Sequence, residues 1–285
     1  MARLEMNAAQ PGTGRAGQPL NIAFGRTAST TFLNGFTSGN YHSFQLALNR
    51  RAAEGLTLKG AYTYSHAINV TDDGGGSLTF RLPEMLGRNR ANASYNQPHV
   101  LQLGFMYDTP FGPGKKYFNS GPGRWIFGDW AINGRFSAFQ GRQFSVTASG
   151  SELNATRSGT QTADQIKPNV EIIGTVEEWF DTSAFARVNR TTGTLADFGN
   201  TGQNLLRGPG VINADISLFR DIQLSEKVMM QIRMETFNVT NTPHFDEPNG
   251  NRNSGGFGTI SRSLGSSVAQ DAPPRSIRFG LRFNW

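Results

Sequence analysis

Hydrophobic and polar residues alternate along much of this chain with a period of two, as β-strands do when their two faces meet different surroundings. The clearest run sets Ile212, Ala214, Ile216, Leu218, Ile222 and Leu224 against Asn213, Asp215, Ser217, Asp221 and Gln223. The next sets Val228, Met230, Ile232 and Met234 against Gln231, Arg233 and Glu235, with only residues 225–227 between the two runs. This pair predicts a hairpin. A second hairpin is predicted from Phe44, Leu46 and Leu48, a polar turn at 50–55, and Leu56, Leu58, Gly60, Tyr62 and Tyr64. Three more strands follow the same rule. They carry Leu101, Leu103, Phe105 and Tyr107, then Trp130, Ile132, Gly134, Phe136 and Ala138, then Ile277, Phe279, Leu281, Phe283 and Trp285.

Each of these strands is near the roughly 9–11 residues that cross a bilayer when tilted, and longer than the ~5–6 usual in soluble sandwiches. Their polar faces hold Lys59, Arg135, Asp215, Arg233, Glu235, Arg278 and Arg282. Charge in mid-strand suits a wet interior and is costly against lipid, so these seven are expected to face a lumen. The connections alternate in length. Those at 50–55 and 225–227 are short, and those at 70–96, 149–210 and 242–273 are long and rich in Gly, Asn, Asp, Ser and Thr. The connection around 110–127 is intermediate and falls where a short turn is due. Short turns at one end and long loops at the other are the organisation of a membrane barrel. The expected fold is therefore all-β, an antiparallel transmembrane β-barrel segment of about seven long strands with long extracellular loops and short periplasmic turns. Residues 40–285 form the barrel segment in this scheme. Residues 1–39 form an extracellular loop or a partial preceding strand.

Composition agrees with two-faced strands. Mean hydropathy is only -0.42 and hydrophobic residues are 37%, yet aromatics reach 11%, with 21 Phe and 34 Gly among 285 residues. Disordered chains lack such aromatics. No apolar run is long enough for a spanning helix, which says nothing against strands. Cysteine is absent, so disulfides, thiolate catalysis and cysteine-based zinc sites are excluded. The net charge of +6 comes from scattered arginines rather than a basic tract, so no nucleic-acid partner is expected. The first residues show no apolar leader segment. The expectation is a fragment of a longer gene product, without signal peptide or plug.

The last strand ends on an aromatic residue. Ile277, Phe279, Leu281, Phe283 and Trp285 resemble the C-terminal β-signal of outer-membrane proteins, which implies recognition by the barrel assembly machinery. Other segments resemble Oar-like TonB-dependent outer-membrane receptors, in family order. They are Asn40-Tyr-His-Ser-Phe-Gln-Leu46, Ala61-Tyr-Thr-Tyr-Ser-His-Ala67, Tyr107-Asp-Thr-Pro-Phe-Gly112, Gly128-Asp-Trp-Ala-Ile-Asn-Gly134, Phe139-Gln-Gly-Arg-Gln-Phe-Ser-Val146 and Glu235-Thr-Phe-Asn-Val-Thr-Asn-Thr-Pro-His-Phe245. The resemblance implies a receptor in the bacterial outer membrane, embedded in its lipid, that takes up a large or scarce solute. Energy would come from the TonB system through a plug at the N-terminal side. Such receptors have barrels of about 22 strands, so this chain supplies about a third of one.

No catalytic constellation is present, and an enzyme is not expected. The histidines are scattered, and neither a nucleophile elbow nor a phosphate-binding glycine loop occurs. No cofactor or metal is expected. Weak loop contacts are Asp72 and Asp73, whose carboxylates precede three glycines, and Trp179 and Asp181, which combine ring and acid. Two other readings stay open: a soluble or secreted β-sandwich that binds carbohydrate, and a small complete barrel acting as adhesin or pore.

Overall fold

The computed structural model describes residues 2–51, 55–72, 76–151, 153–190, 192–264 and 274–285. Seven long strands make one sheet. They are β1 (Asn40–Arg51), β2 (Leu56–Asn69), β3 (His99–Asp108), β4 (Trp130–Phe139), β5 (Val211–Ser225), β6 (Val228–Phe237) and β7 (Ser276–Asn284). Each pairs antiparallel with the next, so the spatial order follows the chain order, as short local hairpins favour.

Register carries the sequence alternation across the whole sheet. Leu46 faces Tyr62, Tyr62 faces Leu101, and Leu103 faces Phe136. Phe136 in turn faces Ala214, Leu218 faces Met234, and Met234 faces Phe279. One face is thus apolar from β1 to β7. A one-residue slip anywhere would move a strand's whole apolar set to the other side, which is why the pattern specifies the pairing. The hairpin of β5 and β6 turns on two residues, Glu226 and Lys227, because Ser225 already pairs with Val228 after a bulge beyond Gln223.

No second sheet covers the apolar face among the described residues. Phe279 is 79% exposed and Trp285 is 93% exposed. A soluble sandwich would bury such a face as its core. The sheet is also open: β1 and β7 are its two ends.

At one end of the strands two connections are tight, and the third, residues 109–129, is longer and holds a short helix. At the other, residues 2–39, 70–72, 76–98, 140–151, 153–190, 192–210 and 238–264 fold together into a layer. The composition of the long connections predicts plain loops, and here the structure differs. The layer has two small apolar cores. Phe144, Val146, Ala163, Phe180, Ala184, Phe185 and Leu206 form one; Ala8, Phe80, Leu82, Met85, Leu153 and Phe198 form the other. Short strand pairs stitch it: Ala2–Glu5 lies between Thr31–Asn34 and Gly76–Ser77, and Gln143–Phe144 pairs with Leu206–Arg207. Irregular backbone needs polar partners when buried, and arginines supply them. Arg88 donates to Gly199 O at 2.6 Å and Thr201 O at 2.9 Å, with its guanidinium 4.2 Å from the Phe80 ring centroid. Arg190 grips the Asp164 carboxylate and Phe198 O.

Candidate functional site

The wall's apolar face is the first element of the site. Between Leu56 and Tyr64 on β2 lie about 26 Å of strand at ~3.3 Å per residue, which at the ~40° tilt of barrel strands spans roughly 20 Å of the ~25 Å apolar band of a membrane barrel. Amphipathic rings mark both ends. Towards the loop layer, the Tyr62 hydroxyl is 2.7 Å from His99 Nδ1, and Tyr64 packs on the same imidazole at 5.1 Å between centroids. Towards the tight turns, Tyr107 and Trp130 sit at strand ends in the same outward row, and Trp285 continues that row beyond Phe283.

The opposite face is polar. Lys59, Arg135, Asp215, Arg233, Glu235, Arg278 and Arg282 all lie on it, as the alternation implies. Lys59 is registered between Asn49 and Gly104, and Arg135 is directly opposite Asp215. Arg233 pairs with Glu235 at 3.4 Å, both partly exposed, so the pair contributes little to stability. Arg278 faces Glu235 across strands and lies 5.0 Å from the Phe237 ring centroid, and Arg282 Nε donates to Asn284 Oδ1 at 3.0 Å. Near the loop layer, Ser137 Oγ, Asn213 Oδ1 and His244 Nε2 are buried with no hydrogen-bond partner among the described residues. Polar groups so placed take ordered water as partner, in keeping with a wet face.

Where the loop layer folds over this polar face, it leaves a cleft of about 310 Å³. Val100, Gln102, Phe139 and Val211 from β3, β4 and β5 form its floor, and Gln97, Gln140, Arg142, Phe245, Asp246 and Glu247 form its sides. Gly141 allows the closing contact. A Cβ there would lie 2.0 Å from Gly208 O and 2.3 Å from Pro209 O. Arg207 locks the same corner, donating to Gly141 O at 2.7 Å and Asn96 O at 2.8 Å. Amides, a guanidinium, two carboxylates and two phenyl rings can together hold a polar solute by hydrogen bonds with apolar backing.

Desolvation at the cleft and the adjacent Asp246 push the Glu247 carboxyl above the usual carboxylate range, against the pull of Arg142. A raised carboxyl pKa means that the folded state favours the protonated form. The resulting stabilisation is full below the ordinary carboxylate pKa and is lost as pH rises through the raised value. Glu247→Gln should therefore raise the melting temperature of the loop layer at neutral pH and leave it unchanged in acid. Near-UV circular dichroism melts at both pH values check this; the same change at both would contradict it.

The predicted loop contacts do not converge on the cleft. Asp72 Oδ1 accepts from Asn69 Nδ2 at 2.8 Å and from Ser94 N at 3.0 Å, which closes its own loop. Asp73 lies outside the described residues. Trp179 packs against the first loop core and donates from Nε1 to Arg207 O at 2.8 Å. Asp181 accepts from Lys167 Nζ at 2.6 Å and caps the turn at Ser183 N at 3.0 Å, and the Lys167 hydrogen bond holds its carboxyl below the usual range. Among the described residues no three His, Asp or Glu side chains gather as a metal cluster. The cleft residues escaped the sequence because they come from five separate segments. The only signal was Gly141, a glycine directly after a strand with polar neighbours.

A family model described as an outer membrane beta barrel domain matches residues 1–278. No curated protein and no solved structure matches the chain.

Proposed function

Because this chain belongs to the outer membrane beta barrel domain family, with its wall in the bacterial outer membrane and its loop layer outside, we propose that it is the C-terminal barrel part of a TonB-dependent receptor taking up a large or scarce solute. The observation that carries this reading is the direction of the sheet edges. With seven antiparallel strands in chain order, β1 and β7 both run from the loop layer towards the tight turns. Pairing them directly would be parallel. Antiparallel closure needs an odd number of further strands. A second copy in the same membrane orientation again offers edges that run the same way, so it does not complete the wall. A receptor of about 22 strands would supply about 15 more, an odd number.

The cleft fits this role, since it lies on the lumen face directly beneath the outer layer, where a solute arriving from outside first meets the wall. In this reading the chain is not an enzyme and needs no cofactor. Its partners are outer-membrane lipid on the apolar face, the barrel assembly machinery at Ile277, Phe279, Leu281, Phe283 and Trp285, and TonB through a plug supplied by another part of the receptor. Nucleic acid is not among them. The motifs in receptor order, from Asn40 to Phe245, support the same assignment.

The test is genetic. Strains lacking this gene and strains lacking TonB should lose growth on the same scarce solute, and the double deletion should be no worse than either. A gene deletion that impairs only surface attachment would replace the receptor with an adhesin.

A further inference from the structure

The connection between β3 and β4 lies at the tight-turn end, away from the cleft, and folds into the short helix Pro122–Phe127, which buries none of its residues. Trp125, Ile126 and Phe127 are 73%, 63% and 50% exposed, and Tyr117 and Phe118 are exposed beside them. Phe118 packs on Phe127 at 5.3 Å and on Phe111 at 5.6 Å between centroids, so the rings form one cluster.

Two side chains fix where this cluster sits. Trp130 Nε1 donates to Ile126 O at 2.9 Å, and the Arg220 guanidinium donates to Trp125 O. Trp130 and Arg220 are cross-strand partners in the outward apolar row that continues through Ile132 and Leu218. The helix is therefore tied to the hydrocarbon side of the wall, at its lower rim. It is continuous with the lipid-facing belt. The connection, residues 109–129, also holds Lys115, Lys116 and Arg124 against one acidic residue, Asp129, which lies beside Gly112. Lys115 is used internally, donating to Thr109 O at 2.9 Å. Lys116 stays near the rings, 5.3 Å from the Tyr117 centroid.

We propose that this segment is an interfacial anchor that binds anionic phospholipid headgroups of the periplasmic leaflet. Trp125, Ile126 and Phe127 lie at the boundary of headgroup and acyl chain, where amphipathic rings are favoured. Lys116 and Arg124 meet the phosphates, where a cation near an anionic surface gains most. A water-facing connection would gain nothing from an exposed Trp-Ile-Phe run, and a patch of that kind marks an interaction surface. The inference rests on the membrane wall and not on the receptor assignment, so it stands even if the solute-uptake test fails.

The chain has no cysteine, so Ile126→Cys provides a single labelling site. The complete protein that carries this chain, with any cysteine outside residues 1–285 replaced, is folded into phosphatidylcholine vesicles containing phosphatidylglycerol, with a fluorophore on that cysteine. Nitroxide lipids labelled near the headgroup should quench it more than deep acyl nitroxides or aqueous iodide do. Nitroxide phosphatidylglycerol should quench more than nitroxide phosphatidylcholine at equal mole fraction. Lys116→Glu with Arg124→Glu should lower that preference at least about fivefold, the factor expected for one basic charge at an anionic surface. Should that variant fail to fold, molar salt on the protein carrying only Ile126→Cys must lower the preference too. Dominant iodide quenching would place the helix in water, and protection from every quencher would mean that protein covers it. Equal quenching by the two lipids would remove the anionic preference. Each of these results overturns the proposal.

Discussion

Leu103→Arg should destabilise the folded wall by about 2–4 kcal/mol, while Gln102→Arg, one residue away, should change it by less than about 0.5 kcal/mol. Leu103 is at the middle of β3, registered between Gly60 and Phe136 on the apolar face. A guanidinium there must either be stripped of water or drag water and headgroups into the hydrocarbon. Gln102 lies on the polar face between Ala61 and Ser137, where a longer cation can reach lumen water. Urea titrations of the complete barrel that carries this chain, in lipid vesicles and scored by the heat-modifiable folded band, measure both. Equal effects would mean that the two faces do not meet different solvents.

Phe180→Ala should cost about 4 kcal/mol within the loop layer and leave the wall folded. Phe180 has no exposed surface. Its ring meets Phe257 at 5.2 Å, Phe185 at 5.7 Å and Phe144 at 5.9 Å between centroids, the first two edge to face. Removing it empties the centre of the larger loop core, and a layer built from irregular segments has few regular hydrogen bonds with which to resist. Amide exchange by mass spectrometry should rise across 144–207 and 249–260 while β3 to β6 stay protected. Loss of protection in the wall as well would show that the layer and the sheet fold as one unit.

These two substitutions divide what the sequence made legible from what it did not. Ile216, Leu218, Met230 and Ile232 declared their face by spacing alone, because a strand turns successive side chains to opposite sides. Lys59, Arg135 and Glu235 could be placed on the other face for the same reason. No such rule exists for Phe80, Phe144, Phe180 or Phe198. They lie outside the long strands, and each has a ring partner tens of residues away in the chain. Asp72 and Asp181 looked available from composition, yet both close local turns. Gln102, Arg142 and Glu247 carry no motif; they become a site only because a loop folds back over a sheet.

By itself, then, the amino-acid sequence determined the strands, their two faces, the alternation of short and long connections and the aromatic C-terminal end. These are local properties: a backbone period of two and a turn of few residues need no distant partner. The tertiary structure alone decided that the long loops pack into a layer with cores of its own, that a cleft opens beneath it, and that the helix at Trp125 hangs on the lipid side. Each of these depends on contacts between segments far apart in the chain, which spacing along one strand does not encode.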